Sequence, residues 1–163
     1  MAKNLIIGGA SNYTWDQLKY WVNSIRKTGF DGDVVIVGTN MSADTINKLS
    51  DAGVILSLYG TMNEAGDIVS PKTGAPHVER FFHIWNYLNN LEDGEYLNVV
   101  TTDTRDVIFQ SNPIDWILEN SGTSMLIASS EGMRYENEPW GNNNLLETFG
   151  PFFHNMLKKN TIY

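Results

Sequence analysis

Leu5-Ile6-Ile7-Gly8-Gly9, Thr14-Trp15-Asp16-Gln17 and Asp33-Val34-Val35-Ile36-Val37-Gly38 follow one another within a single short stretch, and together they decide the fold. The first and last runs are apolar without alternation and end in glycine, the pattern of strands buried on both faces. Between them, Thr14 and Gln17 have capping-box spacing, with Thr14 as N-cap and Gln17 at N3. Trp15, Leu18, Val22 and Ile25 then recur at helical spacing, and Gly29 is placed to end the helix. Strand, helix, strand with short connections is a βαβ unit, whose crossover is right-handed and whose strands are parallel.

The pattern continues outward. Ser42 caps a helix carrying Ile46 and Leu49 that stops at Gly53, and Val54-Ile55-Leu56-Ser57-Leu58 reads as a third strand. Residues 59–76, rich in glycine and proline, read as a mobile surface loop. Pro76 opens a helix bearing Val78, Phe81, Phe82, Trp85 and Leu88, which leads through Asp93-Gly94 into a strand over 96–102. That strand, rich in β-branched residues, reads as buried. Pro113 begins a further helix, Met125-Leu126-Ile127-Ala128 reads as a strand, residues 129–144 as a polar loop, and 144–158 as a final helix. The expected class is α/β: a Rossmann-like, mostly parallel sheet with helices on both faces, in one domain over 1–163. Asn160-Thr161-Ile162-Tyr163 resembles the start of another strand, and the expectation is that the chain is the front part of something longer.

Composition narrows the function classes. Nineteen acids against eleven bases give a net charge of −8, a field that repels nucleic acid and anionic membrane. No run approaches a membrane span, and Met1-Ala2-Lys3-Asn4 leads directly into a strand rather than a signal-peptide core. Without cysteine there are neither disulfides nor thiolate zinc sites, and a cytoplasmic location is expected.

The chemistry concentrates at Asp103 and Asp106, three residues apart just after the strand over 96–102. Strand ends of this kind form the ligand-binding edge of α/β sheets. Two carboxylates there repel each other unless a hard cation lies between them, and Mg²⁺ or Mn²⁺ favours one or two carboxylates completed by phosphate oxygens and water. The competing reading is local: Asp106 caps a short turn over 107–109, and Arg105 pairs with either acid.

The wider string Thr102-Asp103-Thr104-Arg105-Asp106-Val107-Ile108-Phe109-Gln110-Ser111-Asn112-Pro113 resembles the metal-binding segment of GT-A-fold glycosyltransferases, where a strand ends in Asp-x-x-Asp followed by a Val-x-Phe turn and Asn-Pro. It is most similar to the branch containing collagen lysyl glucosyltransferase domains. Arg105 stands where that branch has an aromatic residue, a variant similar to uncharacterised plant, bacterial and phage members. The likeness runs from Leu5 to about Glu131, with 101–113 as its specific part. It implies a metal-dependent transferase in which Asp103 and Asp106 hold Mn²⁺ or Mg²⁺ against the diphosphate of a nucleotide-sugar donor, UDP being the expected base. It further implies donor contacts from Gly8, Ala10 and Tyr13, with Tyr13 stacking on uracil, and from Arg80, which touches the diphosphate or anchors Asp103. Glu131 and Trp140 fall where an acceptor docks. The resemblance also implies a C-terminal acceptor half that this chain lacks, so that the chain alone would bind a donor without efficient transfer.

Blander alternatives stand beside several of these residues. Tyr13 can pack on the core, Arg80 can bond Glu79 or Glu92, and Trp140 can fold back onto the core. His77 falls on one helix face with Arg80, and His83 and His154 read as packing residues. The alternative function is a non-catalytic nucleotide- or metal-binding module. A haloacid-dehalogenase-type phosphatase is disfavoured because Arg105 occupies the position of its second acid, and a nucleotidyltransferase because Ser11-Asn12-Tyr13-Thr14 lacks a basic residue. An exposed apolar sheet edge would also favour a homo-oligomer.

Overall fold

A computed structural model of the chain describes residues 2–71, 76–129 and 138–159. Two compact units are distinguished, Met1–Asn120 and Ser121–Tyr163. The first is an α/β, Rossmann-like unit built on a four-stranded sheet. Its elements in chain order are β1 (Lys3–Ser11), α1 (Trp15–Lys27), β2 (Asp33–Thr39), α2 (Ala43–Asp51), β3 (Ile55–Leu58), β4 (Thr61–Met62), β5 (Ile68–Val69), α3 (Pro76–Asn89), β6 (Tyr96–Asp103) and α4 (Pro113–Asn120). The sheet order is β3-β2-β1-β6 and every pairing in it is parallel.

Local signals explain most of the element boundaries. At the start of α1 the Gln17 side-chain oxygen accepts the Thr14 backbone N–H at 3.0 Å, one half of a capping box. Ser42 Oγ accepts from the Thr45 N–H at the start of α2. Gly29 and Gly53, just past the ends of α1 and α2, have φ of +78° and +71°, left-handed conformations in which a side chain would be strained.

Successive strand residues point to opposite faces, so β1 feeds two cores. Ile6 and Ala10 join Leu18, Trp21, Val22, Ile25, Val34, Ile36, Leu49 and Ile114 on the face covered by α1, α2 and α4. Leu5 and Ile7 join Val35, Val37 and Ile84 beneath α3. Each fully buried aliphatic side chain contributes about 1.5–3 kcal/mol relative to exposure, so the two-sided core anchors β1 and β2, and β6 pairs alongside β1.

Several expectations are corrected. Residues 61–69 form an antiparallel β4–β5 hairpin rather than a mobile loop. Met41 and Ile68 exchange backbone hydrogen bonds, and Asp67 accepts the Ala43 N–H at 2.9 Å, so the hairpin is tied to the start of α2. Strand β6 lies at the sheet edge, and its residues alternate between partial burial and exposure instead of being buried throughout. The face that carries Leu97 and Val99 is exposed because α3 packs over β1 and β2.

In the second unit, residues 125–128 form no strand; Met125 and Leu126 are exposed, and an apolar run acquires strand structure only by pairing with a neighbour. The final helix, α5 (Pro139–Lys159), starts earlier than 144 and is broken at Gly150, where φ is +73° ahead of Pro151. Glu138 accepts the N–H groups of Trp140 and Gly141 at its start. His154 is buried and hydrogen-bonded to the Asn142 side-chain oxygen at 2.7 Å.

Candidate functional site at the sheet's C-terminal edge

The chain runs from β1 outward to β3 and then returns to place β6 on the other side of β1. The strand order therefore reverses between β1 and β6, and the crevice outside the carboxyl ends of strands at such a point is where open α/β sheets bind ligands. An open cleft is found there, lined by Gly9, Ala10, Ser11, Tyr13, Thr39 and Arg80, with His83 and Glu79 also on its wall.

Backbone geometry opens this edge. Asn12 and Asn40, immediately after β1 and β2, adopt φ of +57° and +47°, a left-handed conformation that Asn tolerates better than most residues. The Asn12 N–H donates to the Asn40 carbonyl at 3.1 Å, which joins the two turns. Asn40 Oδ1 accepts the Ser70 N–H at 2.8 Å, so the hairpin braces the second turn.

Asp103 ends β6 directly beside Gly9 of β1. Arg80 comes from α3 over the same spot, and its Nη1 is hydrogen-bonded to Asp103 Oδ1. Arg80 is thus paired with Asp103, one of the partners its sequence position allows. A methyl group on Gly9 would lie 2.5 Å from Arg80 Cβ, so only glycine at this position lets the helix bring Arg80 so close. Arg80 Nε is buried without a hydrogen-bond partner, as is His83 Nδ1. His83 stacks on Tyr59 with ring centroids 4.1 Å apart.

Residue Thr104 locks the end of β6 from below. Its hydroxyl donates to the Gly9 carbonyl at 2.9 Å in a fully buried position, while Trp21 Nε1 donates to Thr102 Oγ1 at 3.0 Å. Asp106 lies beyond this lock. Its side chain is 81% exposed, and Arg105 Nε is 3.8 Å from Oδ1. The Arg105 guanidinium also lies over the Tyr13 ring at 5.9 Å. Residues 107–109 form no helical turn for Asp106 to cap, and Val107 and Phe109 pack against the core instead.

Among the residues singled out from sequence, Ala10, Tyr13 and Arg80 line the cleft, with Asp103 bonded to Arg80 at its edge. Tyr13 does so while also packing against the core, the blander of its two readings. Gly8 points to the opposite face, beneath Thr104 and Trp21, and Gly9 takes its place in the cleft. Trp140 lies in the first turn of α5 and is exposed rather than folded onto a core. Glu131, the His77 side chain and residues 160–163 lie outside the described residues. Thr39 and His83 line the cleft without a donor role having been read from sequence, and Gly9, though within the loop expected to hold the base, was not singled out. The period-two rule could have found Gly9, since it shares a sheet face with Leu5 and Ile7 under α3.

Asp103 and Asp106 supply carboxylate oxygens, and the Asp103 side chain is 52% exposed. Among the described residues no three His, Cys, Asp or Glu side chains stand together as a closed cage. A hard cation such as Mg²⁺ or Mn²⁺, if held here by one or both of these carboxylates, would take its remaining ligands from phosphate oxygens and water. Family models, curated proteins and solved structures offer no match to this chain. Among the described residues no helix is long and apolar enough to cross a membrane.

Proposed function

We propose that this chain binds a nucleotide-sugar donor, with UDP as the expected nucleotide, together with Mn²⁺ or Mg²⁺, as part of a glycosyltransferase that transfers the sugar to an acceptor. The observation that carries the reading is the meeting of Asp103, Arg80 and Gly9 at the point where strand order reverses, beside a cleft walled by Tyr13. Backbone at Gly9–Ser11 leaves room for a flat base or ribose, and Tyr13 offers a ring against which a base can stack. Arg80 offers a guanidinium matched to phosphate oxygens. Asp103 and Asp106 would hold the cation, which when bound supplies Lewis-acid stabilisation of the departing diphosphate. Trp140 and Glu131 are assigned to the acceptor side by resemblance alone.

Thermal unfolding tests the reading with the protein alone, with Mn²⁺, with UDP and with both. A ligand at about 100 times its Kd adds about 2.7 kcal/mol, equivalent at this size to about 5–10 °C. A shift of that size requiring both ligands supports the assignment; identical curves in all four conditions reject it. Release of free sugar or UDP from UDP-sugars by the Mn²⁺-loaded protein then favours a transferase over a non-catalytic binding module.

A further inference from the structure

The geometry points to Arg80 as a built-in counter-ion that makes cation and diphosphate binding depend on each other. The inference rests on the proposed diphosphate site and assigns it a regulatory residue. The Arg80 guanidinium holds one oxygen of Asp103. A divalent cation taking up the same carboxylate meets a positive charge in place, and like charges sharing one partner disfavour each other. The cation alone is therefore a poor ligand.

A diphosphate changes this balance. Its oxygens attract the same guanidinium, whose forked donors match phosphate better than a single carboxylate oxygen. Arg80 has capacity for such a partner: Nε is buried and unsatisfied, and the residue lines the cleft. Its guanidinium also stacks over the Phe81 ring at 4.8 Å, a support that does not depend on Asp103. Drawing Arg80 toward the diphosphate frees Asp103 for the cation, and by linkage each ligand then raises affinity for the other by the same factor. The close approach is enforced by Gly9, where any side chain would keep Arg80 away from the strand end.

Calorimetric titrations of wild-type protein, Arg80→Gln and Arg80→Lys with Mn²⁺ alone, UDP alone in EDTA, and UDP in saturating Mn²⁺ test this role. Arg80→Gln is expected to bind Mn²⁺ alone about tenfold more tightly than wild type, within the usual range of coupling between sites, and UDP alone about tenfold more weakly. Arg80→Lys keeps the charge but not the fork, so Mn²⁺ alone should stay weak while UDP weakens. Opposite movement of the two affinities is not the result of general unfolding, which lowers both. If Arg80→Gln binds Mn²⁺ no more tightly than wild type while wild type binds UDP with Mn²⁺, the counter-ion role is overturned and the site stands. If wild type binds no UDP even with Mn²⁺, both the site and the role of Arg80 fall.

Discussion

A single hydrogen atom at Gly9 decides whether Arg80 can reach Asp103. Gly9→Ala places a methyl 2.5 Å from Arg80 Cβ, a stem atom with little freedom to retreat. Overpacking of this kind costs about 1–3 kcal/mol, and chemical denaturation should show that loss together with weakened Mn²⁺-dependent UDP binding. The two acids are expected to differ. Asp103→Ala removes the Arg80 pair, but its side chains are 28% and 52% exposed, so stability should fall by about 1 kcal/mol or less. Asp106→Ala should leave the unfolding midpoint unchanged, since its contact with Arg105 is long and exposed. Both substitutions should abolish metal-dependent UDP binding; wild-type affinity in either would remove that residue from the site.

Two elements near the cleft are each held by a single side-chain tether. The end of β6 is pinned by the buried Thr104 hydroxyl on the Gly9 carbonyl. Thr104→Val keeps the shape and leaves that carbonyl without this donor, so a loss of about 1–3 kcal/mol in denaturant unfolding is expected. The β4–β5 hairpin is held by Asp67, whose carboxyl lies below its usual range because it accepts the Ala43 N–H first and the Asn63 amide second. A depressed folded pKa means that this tether contributes fully above the ordinary value of 3.8 and is lost as pH falls through the lower folded value. Hydrogen exchange at Ala43 should therefore accelerate in acid beyond its intrinsic pH dependence, and Asp67→Asn should flatten that extra response.

At the scale of the molecule, β6 is an edge strand with Leu97 71% exposed and Val99 beside it. Exposed apolar edges invite strand pairing, so Val99→Lys should raise the concentration at which light scattering detects association. The βαβ order, both N-caps and the glycine stops were legible in the sequence because they depend on residues three or four apart. Asp103 at a strand end was legible for the same reason. The hairpin was not, because two-residue strands show no periodicity and are held by Met41 and Ala43 from elsewhere in the chain. The apolar run at 125–128 was misread because composition reports strand propensity, whereas a strand also needs a partner for its backbone. Arg80 had several candidate partners in sequence, and the register that sets Gly9 beside Asp103 under α3 brings it to Asp103. Local hydrogen bonding and hydrophobic period account for the parallel α/β order and for the acids at its edge. Tertiary structure decided which strand is the edge, which glycine faces the cleft and which charge Asp103 meets, because each depends on pairing between segments distant in the chain.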